Sequence, residues 1–495
     1  MEQTHPGASA KGPAAIVPEA IDGFFLPQLE ASELRDLTWK ETVAGSIVVR
    51  TPEMTSGLVD LLAQRLLAAQ EAHLANRPVM DVVDVLGRVF ARWADPDYHW
   101  RVRAEAVLPA VTGYAPAMVR RGLARYLQTF RRDRLLSFLT QDLENPLVLD
   151  GFKPNRAGGR SRAVGPRLTT QIHAGNVPGL AAWNLVCALL VKSATLGKSA
   201  SGEPLFAVFL AHSIAEEDPD LATCLAMVHW AGGNDEIERA AFAKSDAVVV
   251  TGGDAAIAAV SARVPPGVRL VAHGHKVSFA VVGIEALTKE EFGKTAVKVA
   301  YDASQYDQQG CLSPHAVFVQ RGGEVGPEQF AASVAEQMQL FDVAEPRARL
   351  GLEEHVALDR ARSTQEFRSY TDDGLLYFTA PAGNNWTVVY DPEAEVLVPS
   401  PLNRFLRIHP VDGIDDVVRL VAPLRRVLQT VGVACSPETL ETWSQDLAGC
   451  GVDRICGVGR MPEPAAGWHH DGVGNLTALV RWIDIEQDAG LELER

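Results

Sequence analysis

The residues best suited to chemistry lie in Tyr306-Asp-Gln-Gln-Gly-Cys-Leu-Ser-Pro-His315. Cys311 follows a glycine in a polar loop, and the apolar run Ala316-Val-Phe-Val319 begins just beyond it, which places a thiol at the mouth of a strand. Gly310 admits unusual backbone dihedrals and the close approach of a substrate, while the Cys311 amide is available to a developing oxyanion. That chemistry is acyl transfer to sulfur. It competes with the commoner fate of a free cysteine, which is to fill space in a core. A second loop, Gln171-Ile-His-Ala-Gly-Asn-Val-Pro-Gly179, fixes Asn176 between glycines and a proline. Its amide either donates to an oxyanion or caps the helix that follows.

Three apolar runs end in polar residues. Ala188-Leu-Leu-Val191 leads into Lys192 and Thr195, Ala247-Val-Val-Val250 into Thr251-Gly252-Gly253, and Arg269-Leu-Val-Ala272 into His273-Gly-His-Lys276. Read as parallel strands, they deliver these residues to the carboxyl ends, where such sheets bind ligands, and together they suit a phosphate-bearing cofactor. No GxGxxG fingerprint follows an early strand. His273, His275 and His315 are candidate neighbours of the thiol. Trp468-His-His-Asp-Gly472 invites a metal, yet adjacent histidines rarely point at one ion and no nearby cysteine or glutamate completes a set, so no metal site is expected.

These residues need a frame. Leu58, Leu61, Leu62, Leu66 and Leu67, then Val82, Val83, Val85, Leu86 and Val89, recur at helical spacing, so residues 52–143 read as mainly helical. Arg120, Arg121, Arg125, Arg131, Arg132 and Arg134 read as a solvated helix face. Glycines, prolines and arginines over residues 145–167 suggest an extended arm or hairpin interrupting a domain. From Leu168 onward, β-branched runs alternate with helical stretches, the pattern of a parallel sheet covered by helices.

Composition sets the outer limits. A chain of 495 residues is too long for one ordinary core and suggests two to four units. A formal net charge of −16 argues against nucleic-acid partners. The start through Pro18 reads as a flexible leader without a signal-type apolar core, and the longest apolar run, residues 180–191, is too short to span a bilayer, so a cytoplasmic protein without a membrane span is expected. Six cysteines form no CxxC pair, and Cys187 and Cys224 sit in apolar patterns that suit core packing.

In order and approximate spacing, Asn176-Val-Pro178, Lys192, Thr251-Gly-Gly253, Gly274-His-Lys276 and Gly310-Cys311 resemble the aldehyde dehydrogenase superfamily. More closely, His173-Ala-Gly-Asn-Val-Pro178, Gln309-Gly-Cys-Leu-Ser-Pro314 and Trp468-His-His-Asp-Gly472 are similar to the acyl-CoA reductases typified by the fatty acid reductase of bacterial luminescence. The resemblance covers about residues 168–472. It implies an α/β fold with three parts: a Rossmann-like cofactor domain with N-terminal helices (1–285, interrupted by the arm 145–167), a catalytic domain (286–465) and a return segment (466–495), with the arm serving oligomerisation. It implies Cys311 as nucleophile, Asn176 with the Cys311 amide as oxyanion hole, and Lys192, Thr251, Gly252, Gly253 and Lys276 as cofactor-binding residues. Thr195 falls where NAD-preferring relatives often carry a carboxylate, which favours NADPH over NADH. The Trp468–Gly472 motif is implied to be a closing element near the substrate entrance.

Two departures from the superfamily carry information. Oxidative aldehyde dehydrogenases place a water-activating glutamate where this chain has Ala272, and reduction of an acyl thioester needs no such base. Around Pro399-Ser-Pro-Leu-Asn-Arg404 the chain lacks the carboxylate with which dehydrogenases hold the nicotinamide ribose. The expected activity is therefore NADPH-dependent reduction of acyl-CoA, or another acyl thioester, to the aldehyde in a homo-oligomer, with an acyl-donor protein as a further candidate partner. The alternatives are a CoA-independent NAD(P)-dependent aldehyde dehydrogenase and a non-catalytic cofactor-binding relative.

Overall fold

The computed structural model describes residues 20–381 and 385–489. The leader through Pro18 lies outside the described residues. The described chain opens with a small sheet of β1 (Ile21–Asp22), β2 (Trp39–Ala44) and β3 (Ile47–Pro52), in the order β1-β3-β2. Five α-helices follow between Ser56 and Leu143, where the apolar periodicity places them. In Val79–Ala94, for example, Val82, Val83, Leu86, Val89, Phe90 and Trp93 lie on one stripe and are all buried. Arg120, Arg125, Arg131, Arg132 and Arg134 are exposed, as expected of a solvated face, and several are paired: Arg120 with Glu105, Arg132 with Asp84, and Arg125 and the half-buried Arg121 with the distant Glu463 and Glu345. Residues 145–167 include the hairpin β4 (Lys153–Pro154) and β5 (Arg160–Val164).

The first large sheet comprises β6 (Leu168–Ile172), β7 (Ala194–Lys198), β8 (Leu225–Val228), β9 (Ala247–Thr251) and β10 (Arg269–His273). All five strands are parallel, in the order β10-β9-β6-β7-β8. One expected strand is absent: Ala188-Leu-Leu-Val191 is the end of a helix, Ala181–Leu190, whose every residue is buried. Its polar face is missing because the helix is enclosed on all sides, and a continuous apolar run cannot by itself separate a buried helix from a buried strand.

The second sheet holds seven strands: β11 (Val277–Val282), β12 (Pro314–Gln320), β13 (Leu376–Thr379), β14 (Thr387–Tyr390), β15 (Phe405–Val411), β16 (Leu428–Ala434) and β17 (Arg454–Gly457). Their order is β13-β14-β15-β12-β11-β16-β17, and all neighbours are parallel except β13 with β14. β11 lies at the heart of this sheet, although the sequence-based boundary at 285 puts it in the first unit. The crossing falls earlier, at residues 274–276 between β10 and β11. Finally β18 (Arg481–Ile485) pairs with β5 to complete a three-stranded sheet, β18-β5-β4. On the way, Ala466, Leu476, Leu479 and Val480 pack into the core of the first unit, so the return segment re-enters the part of the molecule where the chain began.

Candidate active site

The carboxyl edge of the five-stranded sheet faces the amino edge of the seven-stranded one. Two direct contacts bridge the edges. Asn176, just past β6, donates from Nδ2 to the Gln309 carbonyl ahead of β12 at 2.7 Å. His273, the last residue of β10, meets Asp471 through Nδ1 at 2.7 Å, and Asp471 accepts in turn from Gln429 Nε2 of β16 at 2.9 Å. Cys311 stands in this cleft immediately before β12 and is half-buried. Its carbonyl accepts from Ser278 Oγ at 2.8 Å, and Ser278 Oγ accepts from the Thr430 amide at 3.2 Å, which ties the Cys311 loop to β11 and β16. The two residues expected to form the chemical centre, Cys311 and Asn176, are thus brought together.

The unusual dihedrals expected at Gly310 occur elsewhere. Gly310 is not left-handed, and a β-carbon there would meet Val177 only at 3.9 Å and Ser313 Oγ at 3.5 Å. The left-handed residues are Tyr306, Asp307 and Gln308, with φ of 50°, 53° and 65°. A second triplet, Leu402, Asn403 and Arg404, has φ of 63°, 61° and 64°. Six non-glycine residues in this region cost about 1–2 kcal/mol each, so something must hold them. Each triplet holds the other. Arg404, fully buried, donates through Nε to Asp307 at 2.8 Å, through Nη1 to Asp342 at 2.9 Å and through Nη2 to the Glu345 carbonyl at 2.8 Å. The Asn403 amide donates to the Asp307 carbonyl at 3.0 Å. Gln308 is satisfied within the same pair of turns, accepting from the Phe405 amide at 2.9 Å and donating to the Pro314 carbonyl at 2.7 Å. The stretch around Pro399–Arg404, where the superfamily resemblance leads one to expect a cofactor-binding carboxylate, here braces the turn that leads into Cys311.

Burial pushes the Cys311 thiol up to about 12, and the Asp471 carboxylate adds to the rise. The thiol's own amide, Lys276 and Arg454 draw it back. Lys276 lies 3.4 Å from Asp471 and 3.9 Å from Asp453, and its charge acts on the Cys311 thiol. Asp471 has φ of 55° and is held down to about 2, with the hydrogen bond from His273 the main favourable contribution against burial. His470 stacks on His273 at 4.1 Å and 6°, and Trp468 packs on His470 at 4.7 Å. His273, His470 and Asp471 present ligand-type atoms within 4.8 Å of one another. The two imidazoles are parallel, however, so their in-plane lone pairs do not converge, and the Lys276 ammonium occupies the carboxylate. The motif is a hydrogen-bonded lock between the sheets, a role its sequence did not reveal. His315 is buried and pushed down to about 3 by desolvation, its Nδ1 accepting from the Ser400 amide at 2.9 Å, which leaves it structural. His275 is exposed.

At the cofactor edge the structure corrects two assignments. Because 188–191 is helical, Lys192 lies at the amino end of β7, and it is buried in a 2.6 Å pair with Asp150. Thr195 lies inside β7 and is fully buried. Neither reaches the ligand edge. The residues that do are Lys198 and Ser199, which sequence reasoning missed; the signal was the twelve-residue apolar run 180–191, long for a strand and ordinary for a helix. Burial lowers Lys198, and Glu238 opposes the shift. Ser199 Oγ and, past β8, Trp230 Nε1 are buried without a hydrogen-bond partner among the described residues. Thr251, Gly252 and Gly253 do lie at the carboxyl end of β9, with Gly253 capping the helix Asp254–Ser261 and open space where its β-carbon would be. A cation, unpartnered donors and an open glycine turn fit an anionic dinucleotide.

The model of the acyl-CoA reductase (LuxC) family matches residues 74–482. The chain belongs to this family. Among relatives, the long-chain acyl-protein thioester reductase of Vibrio harveyi is 24% identical over 437 residues, 86% of this chain and 87% of that protein. The enzyme of the same name from Aliivibrio fischeri is 26% identical over 437 residues, covering 85% and 86%. Among solved structures, aldehyde dehydrogenase 21 from Physcomitrella patens superposes with a TM-score of 0.70 at 13% identity, covering 96% of this chain and all of that one. Lactaldehyde dehydrogenase from Escherichia coli gives 0.67 at 17%, covering 94% and 99%. This LuxC-family chain therefore has the aldehyde dehydrogenase fold.

Proposed function

We propose that this protein reduces an acyl thioester, with acyl-CoA as the first candidate donor, to the aldehyde through an acyl-enzyme on Cys311. The observation that carries this reading is a thiol beside an anchored Asn176 amide, with alanine at position 272, where oxidative enzymes of the superfamily carry their water-activating glutamate. Of the carboxylates nearby, Asp471 has both oxygens engaged, and Asp453 lies 3.9 Å from the Lys276 ammonium. The Cys311 thiolate attacks the thioester carbonyl. The Asn176 amide and the Cys311 amide stabilise the oxyanion, and collapse expels the donor thiolate, leaving the acyl group on sulfur. NADPH, when bound, supplies the hydride that reduces this thioester carbon. The oxyanion then collapses, the carbon–sulfur bond to Cys311 breaks, and aldehyde leaves with the thiolate restored. Lys198, Ser199 and the Thr251–Gly253 turn are the residues suited to hold the cofactor's anionic groups.

The relatives named above are acyl-protein thioester reductases, so a protein-borne thioester belongs among the donors tested. The β18-β5-β4 sheet is proposed to serve a homo-oligomer. No described helix is long and apolar enough to cross a membrane, and a cytoplasmic setting is part of the proposal. Intact-mass measurement after mixing with acyl-CoAs of graded chain length should show one acyl adduct, absent in Cys311→Ala, that NADPH clears with release of aldehyde. Failure of every donor to acylate Cys311 overturns the reading.

A further inference from the structure

Asn176 is the oxyanion donor in the proposed acyl transfer, on which this inference rests, and the direction of its side chain is not set by its own loop. The Tyr114 hydroxyl donates to the Asn176 carbonyl at 2.8 Å and fixes the backbone. The side-chain amide is exposed, and among the described residues its hydrogen bond goes to the Gln309 carbonyl at 2.7 Å. An amide nitrogen carries two hydrogens in a fixed fork, so binding one to Gln309 aims the other. The aim is therefore as accurate as the placement of the Gln309 peptide.

Gln309 is gripped at its other end. Its amide donates to the Tyr306 carbonyl at 2.9 Å, closing the left-handed turn, and its side-chain Nε2 donates to Asn403 Oδ1 at 2.9 Å. Asn403 has its own Nδ2 on the Pro401 carbonyl at 3.3 Å, which leaves Oδ1 turned toward Gln309. We infer that Gln309 and Asn403 are positioning residues that aim the Asn176 amide at the developing oxyanion. The turn at 402–404 thus orients the donor in addition to bracing the thiol.

The test compares two reactions of one sulfur. Acyl transfer from acyl-CoA develops an oxyanion, whereas alkylation by iodoacetamide does not, so an aiming defect slows only the first. Gln309→Met keeps the main chain and removes the donor, and Asn403→Gly removes the acceptor without strain at positive φ. Each should slow acylation of Cys311 about tenfold, less than outright loss of an oxyanion donor, with alkylation within about twofold of the parent protein. The double variant should be no slower than either single one. Asn403→Asp, which retains an acceptor for Gln309, should recover most of the loss. Acylation and alkylation falling in parallel would mean a loosened loop and overturn the inference, as would acylation within twofold of the parent. A parent protein that is never acylated removes the proposed function itself and this inference with it.

Discussion

The two edges that face each other across the cleft differ in what braces them. On the amino edge of the seven-stranded sheet, the polar groups around Asp307, Gln308, Asn403 and Arg404 are closed into hydrogen bonds between two strained turns. On the carboxyl edge of the five-stranded sheet, Ser199 and Trp230 bury donors without partners among the described residues, and Gly253 leaves open space. Such orphaned groups cost roughly 1–3 kcal/mol each. Around Cys311 the two turns hold each other as folded, although Tyr306 Oη, Gln305 Nε2, Gln429 Oε1 and Thr430 Oγ1 are also buried without a hydrogen-bond partner among the described residues. The cofactor side is left to be satisfied by what binds there.

Breaking the braced side should produce the largest effect. Arg404→Met leaves Asp307 and Asp342 without their buried cation and should cost about 3–5 kcal/mol of stability, read by denaturant unfolding. A loss under about 1 kcal/mol would mean that the paired turns do not depend on it. Asn176→Ala should keep the fold and lower the rate of Cys311 acylation about 10²- to 10³-fold. The open side should respond in binding. Lys198→Met should raise the apparent KM for the nicotinamide cofactor about tenfold with little change in melting temperature, as expected for one lost charge-assisted contact. Lys192→Met should instead lower stability, by roughly 1–3 kcal/mol, and leave the cofactor KM unchanged, because its partner Asp150 is structural. An altered KM in the second variant would restore the sequence-based assignment.

The smallest effect concerns the resting thiol. Since Cys311 is pushed up to about 12, it is protonated throughout the neutral range, and the reactive thiolate fraction grows with each unit of rising pH. Alkylation without ligands should climb about tenfold per unit from pH 7 to 10 with no plateau. Asp471→Asn removes a charge that keeps the thiol protonated and should speed alkylation a few-fold at any pH in that range. A plateau near pH 8 would show that the cleft lowers the thiol without help from substrate or cofactor.

Much of this arrangement was readable from the chain. The thiol at a strand mouth, the Asn176 loop and the Thr251–Gly253 turn are local patterns, and local patterns survive folding. Lys192 misled because the apolar run before it suits a buried helix as well as a buried strand, and choosing the strand displaced the ligand edge by one element to Lys198. β11 was assigned to the wrong sheet because nothing in a strand's own residues records which neighbours it will join. The brace was invisible for a different reason. Asp307 and Arg404 are 97 positions apart, and left-handed backbone at Tyr306 or Leu402 has no signature when no glycine is present. The lock at Asp471 likewise depends on a segment returning from the far end of the chain to meet His273, 198 residues away.

That same separation has a consequence in time. A ribosome adding about 5–20 residues per second needs roughly 5–20 s to pass from Asp307 to Arg404. For that interval the emerging Cys311 has neither its brace nor its aimed amide, and it is an ordinary cysteine. The paired turns are thus gated by synthesis itself: they close only when Arg404 has been made, and a chain cut short between the two carries Cys311 without its brace.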